Sequence, residues 1–190
     1  AAGVHRGRPA FYGGEVMEMS TLRQESLFPE LSVKQGDIVY TPAAVASDIV
    51  SYFNPSGKCL DPCKGDGVFL RYLPLDSDWC EIREGKDFFA YNQSVDWIIG
   101  NPPYSTSIFV DFIRHSFSIA SNVVYLVPTN KIFQSFKVMD QIKEYGGIHT
   151  MLVYGAGGNI GMPFGFSVGA FYFKKNHSLG TNIIFRRLFL

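Results

Sequence analysis

From about residue 42 onward, short apolar runs alternate with longer stretches whose apolar residues recur every three or four positions. The short runs predict strands at 58–62, 79–82, 95–100, 123–128, 148–154 and 168–174. The longer stretches predict helices at 42–53, 67–73, 106–119 and 131–145. In the third of these, Ile108, Phe109, Phe112, Ile113 and Phe117 keep helical spacing and read as core. Strands alternating with helices predict an α/β fold, a mainly parallel twisted sheet with helices on both faces. Residues 1–35 keep no period and mix Gly, Pro and Arg, so they read as an extended or partner-docking arm before one domain at 36–190. The glycine-rich run 155–161 is expected to be a mobile loop.

Composition agrees with a single core: the chain has 190 residues and 46% are apolar. No apolar stretch reaches the length of a membrane span, and no secretory leader is visible. Three cysteines, an odd number, point to a reducing compartment, cytoplasmic or nucleoid-associated. Cys59, Cys63 and Cys80 have no metal-ligand spacing and read as core thiols. The formal net charge is zero, which counts against strong binding to a duplex by this chain alone. Basic clusters at Arg186–Arg187, at Lys174–Lys175 and at Lys131 with Lys137 could track a phosphate backbone or simply be solvated.

Candidate chemistry sits at the ends of the predicted strands. Val95–Gly100 runs directly into Asn101-Pro102-Pro103-Tyr104. The Asn101 oxygen and the Pro102 carbonyl can each accept a bond from a planar amine, the prolines hold the backbone, and Tyr104 offers a flat ring. Pro-Pro also ends strands on its own account. Upstream, Asp61-Pro62-Cys63-Lys64-Gly65-Asp66-Gly67 reads as a strand end, a glycine turn and a helix start. That arrangement places a nucleotide-like ligand at the carboxyl edge of a parallel sheet. Neither a three-glycine dinucleotide fingerprint nor a Walker lysine is present, so the ligand has a ribose and an adenine but no pyrophosphate. Glu81, ending the next strand beside Ile82, is placed to bind ribose hydroxyls. Asp87 could accept from an adenine amine while Phe88 covers the ring. Taken singly, Glu81 and Asp87 also read as solvated loop carboxylates.

Together, Asp61–Phe69 and Asn101–Tyr104 resemble the S-adenosylmethionine-dependent N6-adenine DNA methyltransferases of the gamma motif order. Tyr40-Thr41-Pro42-Ala43 resembles that family's leading motif, Val123–Pro128 its next core strand, and Gly161–Ser167 its loop near the target base. The resemblance implies a Rossmann-like class I methyltransferase fold and S-adenosylmethionine as cofactor. It sets Thr41, Asp61, Pro62, Gly65, Gly67, Glu81, Ile82, Asp87, Phe88 and Asn101 around the cofactor. Asn101, Pro102 and Tyr104 would be catalytic, and Pro103, Tyr104 and Phe164, or Phe166, would cage the base. It implies no metal. Two departures stand out. Lys64 fills a position that is usually small or neutral, and its charge is expected to point to solvent. The family also carries a target-recognition domain after the last core strand, whereas this chain ends at Leu190, shortly after Phe173. Three expectations follow: nucleic acid is recognised by a partner, such as a separate specificity subunit or domain, or recognition is minimal, or the chain is a catalytic fragment. Two other readings stay open. Enzymes acting on RNA adenine or on glutamine amides of proteins share Asn-Pro-Pro-Tyr, although the glutamine enzymes usually show Gly-Thr-Gly-Ser-Gly in the cofactor turn. A noncatalytic cofactor-binding subunit on the same fold is the third class.

Overall fold

The apolar runs pair into one seven-stranded sheet of order β2-β1-β3-β4-β6-β5-β7. The computed structural model describes residues 39–188, so the arm expected over 1–35 lies outside the described residues. The strands are β1 (Cys59–Asp61), β2 (Asp78–Trp79), β3 (Val95–Gly100), β4 (Ala120–Pro128), β5 (Gly146–Ala156), β6 (Ser167–Lys175) and β7 (Asn182–Phe185). β2, β1, β3 and β4 run parallel. β6 lies antiparallel between β4 and β5, and β7 adds to β5 in parallel.

Helices cover both faces, which is why the central strands are continuously apolar rather than alternating. On one face α2 (Thr106–Ile119), α3 (Thr129–Phe133) and α4 (Phe136–Tyr145) pack on Leu60, Ile98, Val123, Tyr125, Phe171 and Phe173. On the other, α1 (Ala43–Phe53) packs with Ile99, Val124, Leu126, Ala170 and Leu152. Neighbours such as Ile98 and Ile99 therefore enter opposite cores, and both are fully buried. Each such side chain is worth about 1.5–3 kcal/mol of apolar transfer. The helical stripe of α2 buries Phe109, Phe112 and Ile113, as its spacing predicts.

Four expectations need correction. The helix expected at 67–73 is a series of turns with one 3-10 turn at Phe69–Arg71. Gly67 is spent on a left-handed turn (φ 79°), and Pro74 follows at once, leaving too few residues to repay helix nucleation. The helix expected at 131–145 is broken into α3 and α4, and Ser135 Oγ caps the second by accepting from Val138 N–H (3.4 Å). The strand expected at 79–82 is only Asp78–Trp79, with Glu81 bridging singly to Lys86. The run 155–161 is the end of β5 and a 3-10 turn whose Gly157 and Ile160 are buried, rather than an open loop. β7 had no strand assigned to it. It is tied to α1 through Asp48, which accepts from Tyr154 Oη (2.8 Å) and pairs with the Arg186 guanidinium.

Candidate active site

The strand order reverses between β1 and β3: the sheet grows to β2 on one side and to β4 on the other. Open α/β sheets bind ligands outside the carboxyl ends of the strands at such a switch point. β1 ends there in Asp61, and β3 ends in Gly100 before Asn101. Gly100 is required by this juxtaposition, since a Cβ on it would stand 2.9 Å from both Asp61 Oδ1 and Pro62 Cδ.

Asp61 is fully buried. Its Oδ1 accepts from the Cys63 N–H (3.2 Å), while Oδ2 has no partner among the described residues. Burial raises its pKa to about 7 against the lowering effect of the Cys63 bond, and the charges of Glu81 and Asp66 add to the rise. The turn that follows uses Gly65 (φ 57°) and Gly67 (φ 79°) in the left-handed region. Glu81 holds this turn: its Oε2 accepts from the Gly65 N–H (2.9 Å), and its Oε1 accepts from Arg83 N (3.2 Å) and Arg83 Nε (2.9 Å). Burial would raise the Glu81 pKa, but the Arg83 and Gly65 bonds outweigh it and the net shift is downward. Three donors on a carboxylate leave lone-pair capacity for one more. Ile82, directly after it, is 53% exposed and gives an open apolar surface at the carboxyl end of β2.

The other half of the site is the Asn101–Tyr104 turn. Asn101 Nδ2 donates to the Val39 carbonyl (3.0 Å) and to Thr41 Oγ1 (3.1 Å). A carbonyl can only accept, so the amide orientation is fixed and Oδ1 faces the other way. That oxygen accepts from the Tyr104 hydroxyl (2.5 Å). The Cys63 thiol donates to the Asn101 carbonyl (3.1 Å) and so links the two turns directly. Tyr104 is half-buried and meets Phe164 edge-on at 6.0 Å, and Phe164 stacks on Phe166 at 4.2 Å. Burial raises the Tyr104 pKa, so the hydroxyl stays a neutral donor at ordinary pH.

Thr41, Asp61, Pro62, Gly65, Gly67, Glu81, Asn101, Pro102, Pro103 and Tyr104 thus lie on segments that meet at one edge of the sheet, and Phe164 reaches it through Tyr104. Phe88 does not present a surface there. It is 3% exposed and packs among Phe89, Phe112 and His115, because α2 lies over it. Asp87 is exposed and spends Oδ1 on the Phe89 N–H (2.9 Å). Lys64 does not simply point to solvent: Nζ pairs with Glu84 (2.6 Å) and sits 4.0 Å from the centre of the Trp79 ring. Gly100, Cys63 and Val39 carry parts of the geometry that sequence reasoning did not assign. Gly100 had a visible signal, a glycine immediately before Asn-Pro-Pro-Tyr at a strand end. The Val39 contact runs through a backbone carbonyl and leaves no residue signature.

No family model and no curated protein matches the chain. Solved structures do share its fold. A protein assigned as the modification subunit of a type I restriction enzyme from Vibrio vulnificus superposes with a TM-score of 0.58 at 14% identity, over 83% of this chain and 48% of that one. One assigned as an RNA methyltransferase from Pyrococcus horikoshii gives 0.57 at 17% identity, over 72% of this chain and 86% of that one. The fold is that of a class I methyltransferase. A third structure with this fold is the methyltransferase subunit of a type I restriction-modification system from Streptococcus thermophilus, with a TM-score of 0.54 at 16% identity, over 77% of this chain and 47% of that one. The chain spans about half the length of the two type I subunits. Among the described residues, no helix is long and apolar enough to cross a membrane.

Proposed function

We propose that this chain uses S-adenosylmethionine to methylate the exocyclic amine of adenine in nucleic acid, with DNA as the first candidate polymer. The observation that carries this reading is the Asn101 carboxamide, locked by Val39 and Thr41 at the sheet's switch point with its oxygen turned towards the aromatic side of the site.

The residues fit the cofactor. Asp61 offers a buried oxygen without a partner among the described residues, Glu81 retains an acceptor position for a ribose hydroxyl, and Ile82, unlike the buried Phe88, provides an open apolar surface. Gly65 and Gly67 keep side chains out of the turn that would hold it. The cofactor, when bound, supplies a methyl group already activated on a sulfonium sulfur. The remaining work is positional and electrostatic. Asn101 Oδ1 has two lone pairs; Tyr104 takes one, and the second accepts an amine N–H. The Pro102 carbonyl accepts the other. Both acceptors favour positive charge growing on the nitrogen, in a geometry fixed before reaction, and the amine, made acidic as it becomes cationic, releases its proton to solvent. Tyr104 and Phe164 form the wall for a base taken out of its stack.

Choice of target sequence is assigned to a partner, such as a separate specificity subunit, in line with the neutral charge of the chain. The test is transfer of labelled methyl from the cofactor to adenine-containing DNA, to RNA and to a protein release factor, side by side. Wild type should label adenine in a polynucleotide. Asn101→Ala should lose at least about a hundredfold of that rate, as for removal of one fixed transition-state partner, while calorimetry shows cofactor binding intact. Full activity in Asn101→Ala would refute the assignment, and label on glutamine would transfer it to the protein substrate.

A further inference from the structure

The loops around the aromatic side of the site have an unusual charge balance. Residues 101–110 and 155–173 contain no charged side chain, and 129–139 contains two, Lys131 and Lys137. Those two flank a pair of outward aromatics: Phe133 is 50% exposed and Phe136 is 81% exposed. Both belong to the break between α3 and α4, where Ser135 starts the second helix and turns Phe136 away from the core. The break lies on the same edge as the site. Lys131 Nζ reaches Thr106 Oγ1 (3.5 Å), two residues beyond Tyr104. Thr129 Oγ1 donates to the Ser167 carbonyl (3.4 Å), the residue after Phe166, which is itself 48% exposed.

We infer that Phe133 and Phe136, with Lys131 and Lys137 beside them and Phe166 at the inner end, bind the unpaired nucleotides that flank the target base. Exposed rings interleaved with lysines match a single strand: bases stack on the rings and phosphates meet the ammonium groups, while the exposed carboxylate of Asp140, three residues beyond Lys137, marks the outer end of the strip. A protein partner would find the apolar area but would gain nothing from the two lysines. A neutral chain with this local strip should also prefer single strands to duplex, whose backbone is best met by a broad basic face. The inference rests on the proposed nucleic-acid substrate and extends it from one base to its neighbours.

The test uses the whole chain and fluorescence anisotropy with labelled single-stranded DNA, single-stranded RNA and duplex DNA. Wild type should bind a single strand more tightly than duplex. Phe133→Ala with Phe136→Ala should weaken single-strand binding by roughly five- to a hundredfold, the range for losing a stacked base. Lys131→Ala with Lys137→Ala should lower the slope of log affinity against log salt by about 0.7 for each phosphate no longer neutralised. S-adenosylmethionine affinity, measured by calorimetry, should stay unchanged in every variant and so report intact folding. Unaltered single-strand affinity in the phenylalanine variant overturns the strip, even where methyl transfer persists. A loss of self-association in that variant, with strand affinity untouched, gives the surface to a protein and overturns it too. Strand binding through these residues without any methyl transfer supports the strip and sinks the catalytic reading instead.

Discussion

Asp61 is held where the fold opposes its ionisation. Its carboxyl is fully buried, one oxygen has no partner among the described residues, and burial lifts its pKa to about 7 from an ordinary 3.8. The folded state therefore binds this proton more tightly than the unfolded chain. Its contribution to stability falls as pH rises from about 3.8 and is fully unfavourable above about 7. A cationic ligand reverses the preference, because it favours the carboxylate. S-adenosylmethionine affinity should climb with pH, approaching tenfold per unit below about 7, and flatten above it. Asp61→Asn should remove most of that slope in calorimetry across the pH series, and a wild-type affinity independent of pH would exclude Asp61 as the responding group. The sequence exposed the identity of this residue but not its burial, which comes from the packing of the β1 and β3 ends, where Gly100 leaves room for the carboxyl that a Cβ would crowd at 2.9 Å from Oδ1.

At the scale of elements, the hinge of the architecture is the tie between α1 and β7. Asp48 accepts from Tyr154 Oη and from the Arg186 guanidinium, and that bond raises the Arg186 pKa while burial raises that of Tyr154. Asp48→Ala leaves both donors without their acceptor. The cost should be about 1–3 kcal/mol, or about 2–4 °C of Tm per kcal/mol for a chain of this length. Differential scanning calorimetry checks it, and an unchanged Tm would mean that solvent replaces Asp48 at no cost. Such a tie has no sequence signal, because its members are far apart in the chain and individually ordinary. Elements with a continuous apolar run, such as β3 and β4, or with a long periodic stripe, such as α2, were legible. The stretch 67–73 was not, since its apolar residues are buried by turns and a 3-10 turn carries much the same spacing as a helix over so short a length. The site was legible where a side chain supplies the chemistry, as at Asn101 and Tyr104. It was misread at Phe88, where α2 covers a ring that adjacency to Asp87 had placed in the cleft.

Across the whole molecule, burial is deepest in the middle of the sheet and thins towards its edges. Val123 to Pro128 in β4 are all buried, whereas β2 has two half-buried residues and β7 is mostly exposed. Amides in β4 should therefore exchange only through global opening, and those in β7 through local opening. The site straddles this gradient, with one half on central β3 and the other on the turns beside edge strand β2. A ligand that binds only the folded state adds about 2.7 kcal/mol at a concentration of 100 times its Kd, which slows global exchange about a hundredfold. Hydrogen exchange with and without saturating S-adenosylmethionine should show that slowing in β4, with additional local protection at Gly65 and Gly67. β7 should not change, because its opening does not require the site to open. Protection gained at β7 and absent from the glycine turn would place the cofactor elsewhere on the molecule. No change at any amide would mean that the cofactor does not bind, and the methyl-transfer reading would fall with it.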